Sequence, residues 1–227
     1  MNRETRLAIT WACLLCMFAF VVSGCHRQSP SAGRYSGTGQ PVSQTSSSFR
    51  PSASSDFPAG RPVDFQAFKD RYQTVGVSPE GAVRMYFDAV YTYMEPAKRA
   101  EGAKMLRYSL HERQGWEKFP NRVTFISRLN DPSYQHIFRS FAEGTSPENS
   151  YAMNPDNYRL MFERFRQEGT DFGTVTIRSS GADSSKLVGV KQFEDGLWYV
   201  TGNSSTYVEV RKPANQVRRG SHDADLD

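Results

Sequence analysis

Apolar side chains recur every three or four residues along the first half of the chain and every second residue along much of the second half. Ser78-Pro79-Glu80 reads as a helix start, with a capping hydroxyl, proline at the first helical position and an acid at the positive end of the helix dipole. Beyond it Ala82, Val83, Tyr86, Phe87, Val90, Tyr93 and Met94 fall on one face, and Pro96 closes the run. A second helix is predicted over 98–110, with Ala103, Leu106 and Leu110 inward. Shorter helices are predicted over 121–129 and 132–142, the latter carrying Tyr134, Ile137, Phe138 and Phe141 on one stripe. Asn154-Pro155-Asp156 then caps a further helix bearing Tyr158, Met161, Phe162 and Phe165.

After that helix the period changes from 3.6 to 2. Strands are predicted over 173–179, 186–193, 197–201 and 206–211. Turn chemistry separates them: Ser180-Gly181-Ala182-Asp183, Asp195-Gly196 and Gly202-Asn203, with Gly181 expected at positive φ. Connections this short make neighbours antiparallel, so the strands form a four-stranded meander. N-terminal helices packed on a curved C-terminal antiparallel sheet make an α+β domain.

The first 62 residues follow neither period. Arg3 and Arg6 precede an uncharged apolar stretch over 7–24 that ends Val22-Ser23-Gly24 before Cys25. A cysteine directly after small residues at the end of such a segment resembles a bacterial lipobox, with Val22 where leucine is more usual. The resemblance implies a signal peptide over 1–24, cleavage before Cys25 and diacylglyceryl transfer to its thiol, the strongest nucleophile available for a thioether. An uncleaved signal-anchor helix is the alternative, and it leaves Cys25 unexplained. Cys13 and Cys16 lie in the discarded peptide, so the mature chain has one cysteine and no internal disulfide. His26, rather than Asp, after the lipidated residue implies sorting to the outer membrane of a host with two membranes. In a host with one membrane it implies the outer face of the plasma membrane.

Residues 26–62 hold 10 Ser, 5 Pro and 4 Gly among 37, too little apolar surface to offset ordering entropy. Residues 25–62 therefore read as a lipidated tether with a reach of about 35 Å, 63–213 as the single domain, and 214–227 as a flexible tail. Charge supports that division. Of the net charge of +4, +3 sits on the appendages, while 63–213 carry 20 Lys/Arg against 19 Asp/Glu. A domain without basic excess is not expected to bind nucleic acid.

A helix pair opening on Ser-Pro-Glu and a meander ending in Gly196-Leu197-Trp198-Tyr199 resemble the nuclear transport factor 2-like fold, which implies a cone-like sheet around a pocket. Narrower blocks are Ile137-Phe138-Arg139-Ser140-Phe141, the run 144–151 and Ser179-Ser180-Gly181-Ala182-Asp183-Ser184. With Leu197-Trp198-Tyr199 and Ser204-Ser205 they resemble an uncharacterised bacterial family of secreted or lipid-anchored domains. That family implies glycine after Pro147-Glu148-Asn149, where this chain has Ser150.

Enzymes on such a cone set a carboxylate or histidine base against a phenol. Asp88 and His136, with Tyr86, Tyr93 and Tyr151, are the residues that could form such a pair. Against this, the tyrosines sit at core spacing, and Asp88 and His136 lie far enough off the apolar stripes to be solvated. There is no nucleophile elbow, His111-Glu112 lacks a second histidine at zinc spacing, and Gly37-Thr38-Gly39 is not set between a strand and a helix. No metal, cofactor or nucleotide is expected.

The run 144–151 is first a capped turn. It is also the candidate binding site, with Arg139, Glu148, Asn149 and Tyr151 at the mouth of the pocket. The expected function is binding of an unidentified small molecule or envelope protein by a membrane-anchored lipoprotein, without chemistry. A small-molecule isomerase or dehydratase, or an accessory subunit of an envelope assembly, are the rival readings.

Overall fold

The computed structural model describes residues 57–208 and 210–217. The signal segment, Cys25, most of the tether and the end of the tail lie outside them. Among the described residues no helix is long and apolar enough to cross a membrane.

The architecture is α+β, with the helices before the strands. α1 (Phe65–Val75) is absent from the expectation above. Asp64 caps it by accepting from the backbone N–H of Ala67, and Phe68, Tyr72 and Val75 are buried at helical spacing. α2 (Pro79–Met94) begins on the Ser78 cap, whose hydroxyl accepts from Gly81 N–H. All its residues from Gly81 onward are buried, so it is the central helix of the domain. α3 (Arg99–Ser109) lies back along α2. The approach is close enough that a Cβ on Gly102 would stand 2.3 Å from the backbone N of Tyr93. α4 (Val123–Asn130) follows the expected segment. The predicted helix over 132–142 is a single 3-10 turn and then α5 (Gln135–Arg139). Tyr134 faces outward there, against the inward position expected of it.

The sheet is the expected four-stranded antiparallel meander, in the order β1-β2-β3-β4, but its outer members differ from the expectation. β2 (Phe172–Ile177), β3 (Lys186–Gln192) and β4 (Trp198–Gly202) are the first three predicted strands. β1 (Phe162–Gln167) occupies the segment predicted as the last helix. A bulge between Phe162 and Arg164 explains the error. It brings Phe162 opposite Ile177 and Phe165 opposite Val175, so two residues three apart share the inward face and imitate helical spacing. The predicted strand over 206–211 is instead a 3-10 turn, Ser204–Tyr207, that buries the adjacent Thr206 and Tyr207.

Val175, Ile177, Val188, Val190 and Val200 point inward towards α2. Between helices and sheet the rings of Tyr86, Phe87, Phe125, Phe138 and Phe141 touch one another at centroid distances of 5.1–6.2 Å. The outward face carries Arg164, Arg166, Thr174 and Lys191, with Leu187 and Phe172 as its exposed apolar positions. The free edge of β4 is covered where α1 ends. Trp198 N–H donates to Gly76 O at 2.7 Å and the Tyr72 hydroxyl donates to Trp198 O at 2.9 Å.

The packed part of the chain reaches further in both directions than the boundaries drawn from composition. Arg61 and Pro62 are buried, and Ala214 N–H donates to Pro147 O at 2.9 Å.

Candidate functional site

The run 144–151 is folded on itself. Asn149 accepts from Ser146 N–H and donates to Gly144 O, both at 2.9 Å. The Glu148 carboxyl is held below its usual range by its own backbone N–H and by the Ser146 hydroxyl. Ser150 and Tyr151 both have left-handed backbones, with φ of 54° and 55°. That conformation is why glycine suits position 150. Tyr151 is fully buried; its hydroxyl donates to Arg211 O at 2.7 Å and its ring packs on His136. Arg139 reaches Gln135 on its own helix and makes no hydrogen bond to the other three residues. Glu148, Asn149 and Tyr151 therefore share one loop, and none of the four lines either of the cavities described below.

Gly181 does not adopt positive φ. What demands glycine there is crowding, because a Cβ would stand 2.1 Å from the Tyr151 hydroxyl oxygen and 2.7 Å from a Val210 methyl.

Asp88 and His136 are buried rather than solvated. They do not face each other across a pocket. Asp88 accepts from Arg84 Nε at 3.1 Å and from the Tyr158 hydroxyl at 2.6 Å, and burial pushes its carboxyl up against the pull of those two groups. His136 Nδ1 lies 2.8 Å from Ser133 O, and burial pushes its imidazole below the usual range. Tyr86 and Tyr93 satisfy their hydroxyls on Thr206 with Asn203 and on Asn130 respectively.

The larger cavity, about 460 Å³, opens between the end of α3 and the β3–β4 hairpin. Its apolar wall is Phe65, Tyr108 and Tyr199. The Tyr199 hydroxyl donates to Asp195 Oδ2 at 2.7 Å, and Leu197 N–H donates to Asp195 Oδ1 at 3.0 Å. Burial, the Asp195 carboxylate and the Tyr108 phenol together push Tyr199 far above the usual tyrosine range, so it stays a donor. His111, at φ 49°, lies at the rim with its ring stacked 3.8 Å from Phe193. A non-glycine residue held in that region is strained, and such residues gather at ligand sites.

The charges of this cavity are unevenly committed. Glu112 is paired with Arg122 at 2.7 Å, and Arg122 continues to Asn203 and Tyr86. Asp195 holds its two donors. Among the described residues Arg107 has no side-chain partner, and Arg113 has only the Phe119 ring, 5.1 Å away. Two guanidiniums beside an aromatic wall are the chemistry that can pair with a small anion bearing an apolar or ring-shaped body.

None of these lining residues was singled out for binding in the sequence. Asp195-Gly196 was visible only as a turn and His111 only as an incomplete zinc pair. Tyr108 and Arg107 lie off the α3 face that periodicity picks out.

Residues 61–214 match the family described as Domain of unknown function (DUF6935). The chain belongs to this family. The match begins at Arg61, which is buried, and takes in the whole of the larger cavity. It also spans the residue blocks that resembled an uncharacterised domain. No curated protein and no solved structure matches the chain.

Proposed function

We propose that the chain is a lipid-anchored protein of the bacterial envelope whose DUF6935 domain binds a small anionic molecule in the cavity between α3 and the β3–β4 hairpin, without transforming it. The observation that carries the binding reading is the pairing of Arg107 and Arg113, neither neutralised by a carboxylate, with the wall of Phe65, Tyr108 and Tyr199. The polar outward face of the sheet favours a small ligand over a docked protein. The isomerase-like reading would need a base and a phenol facing a common interior pocket, whereas Asp88 is engaged by Arg84 and Tyr158. Helices followed by a meander support kinship with the nuclear transport factor 2-like fold. The anchor rests on Arg3, Arg6, the apolar stretch over 7–24 and Cys25.

Anilinonaphthalene sulfonate, an aromatic anion, tests the site. Its fluorescence is expected to rise saturably with the full chain and to lose most of that rise in Arg107→Gln/Arg113→Gln. Equal binding by the variant removes the proposal. For the anchor, Cys25→Ala should abolish acyl labelling and leave unprocessed precursor. Labelling that persists overturns it.

A further inference from the structure

A smaller cavity of about 160 Å³ is lined by Phe57, Ala59, Gly60, Arg84, Asn157, Tyr158 and Arg159. Arg84 is only 5% exposed. Two of its nitrogens are fixed: Nε donates to Asp88 and Nη1 donates to Tyr158 O at 3.2 Å. Its guanidinium carbon stands 4.0 Å from the centre of the Tyr158 ring. Nη2 makes no hydrogen bond among the described residues, and Arg84 is one of the residues that line the cavity.

The acids nearby are already committed. Asp88 holds Arg84 and Tyr158, while Glu95 and Asp156 both pair with Arg61. Arg71, which lies near Asp88, donates to Gly60 O, and Arg159 has no side-chain partner among the described residues. Arg84 and Arg159 both line the cavity, and none of its lining residues is acidic. A buried guanidinium whose plane is locked by a carboxylate, a carbonyl and a ring needs little reorganisation to present its last N–H groups to an anion.

We propose that this cavity is a phosphate site, in which Arg84 Nη2 and Arg159 grip the oxygens from two sides and the Asn157 amide adds a donor. A volume of 160 Å³ admits one phosphate group and little else. One wall, 57–60, directly precedes the family match at residue 61, so the site lies where the chain enters the domain. The phosphate is either free or the headgroup of an anionic lipid.

Calorimetric titration of the full chain in neutral detergent with inorganic phosphate, at fixed ionic strength set by chloride, is the test. Saturable one-to-one binding is expected, weakened at least tenfold in Arg159→Gln, an exposed position whose loss leaves the buried network intact. Asn157→Ala should weaken it less. No saturable heat, or an unchanged affinity in Arg159→Gln, overturns the proposal. Repeating the titration with vesicles separates the sources. Competition by phosphatidylglycerol and not by phosphatidylcholine assigns the site to a headgroup, and lack of competition by either assigns it to free phosphate.

Discussion

Replacing Gly181 by alanine inserts one methyl where three segments meet. The Cβ would lie 2.1 Å from Tyr151 Oη, 2.9 Å from Tyr151 Cζ and 2.7 Å from Val210 Cγ1. Tyr151 cannot simply swing away, because it is fully buried and donates to Arg211 O at 2.7 Å, while Arg211 N–H donates to Gly181 O at 2.8 Å. Overpacking of this kind costs about 1–3 kcal/mol, and breaking the Tyr151 hydrogen bond adds about 0.5–1.5 kcal/mol. Gly181 is not at positive φ, so no backbone strain is added, and the lower chain entropy of alanine returns about 0.4–1 kcal/mol. The net expectation is a loss of about 0.5–4 kcal/mol, which in a domain of this size lowers Tm by about 1–16 °C. The discriminating assay is a double-mutant cycle by urea denaturation. Tyr151→Phe removes the nearest atom, so Gly181→Ala should cost half as much or less in that background, with about 1 kcal/mol of coupling. A Gly181→Ala variant within 0.5 kcal/mol of the parent, or a penalty unchanged by Tyr151→Phe, would refute the steric reasoning.

Gly102→Ala should cost more than Gly181→Ala, because the atoms it meets are the backbone of Tyr93 and Thr92, which cannot rotate aside; equal Tm values would contradict this. Burial holds the His136 imidazole below its ordinary value, so the unfolded chain binds more protons in that window. Stability should therefore be retained above about pH 6.5 and fall as pH drops below it. His136→Gln should flatten that slope, and a slope identical in both proteins counts against the assignment. Asn149→Ala removes the two hydrogen bonds that the Asn149 side chain makes across the 144–149 turn and is expected to destabilise by about 1–2 kcal/mol, read in the same urea titrations; no measurable change would mean that the backbone bonds of the turn hold it alone.

Where structure depends on neighbours in sequence, the chain is legible. The Ser78 cap, Pro79 and Glu80 act within one turn of α2, and the Asp195-Gly196 turn places Gly196 at φ 78°. α1 carries the same kind of information in Asp64, Phe68, Tyr72 and Val75, and its apolar spacing was readable beside the polar run that precedes it. The segment over 158–167 was not readable in this way. Its apolar spacing is helical, and only pairing with β2 through a bulge makes it a strand. The same holds for Thr206, whose hydroxyl is bonded to Asn203 O and meets Tyr86 from a distant helix.

By itself the sequence determined the α+β order of elements, the start of α2 at Ser78, the turns between β2, β3 and β4 and the distribution of charge, because each follows from contacts within a few residues or from composition. Tertiary structure alone decided which charges are neutralised. Glu112 finds Arg122 and Asp88 finds Arg84 and Tyr158, while Arg107, Arg113 and Arg159 are left without a carboxylate. Both cavities exist because chain segments far apart in sequence, 107–113 with 195–199 and 57–60 with 84 and 157–159, come together only when the helices close on the sheet. Spacing along a chain records which residues share a face, and it holds no record of what the opposite face will bring.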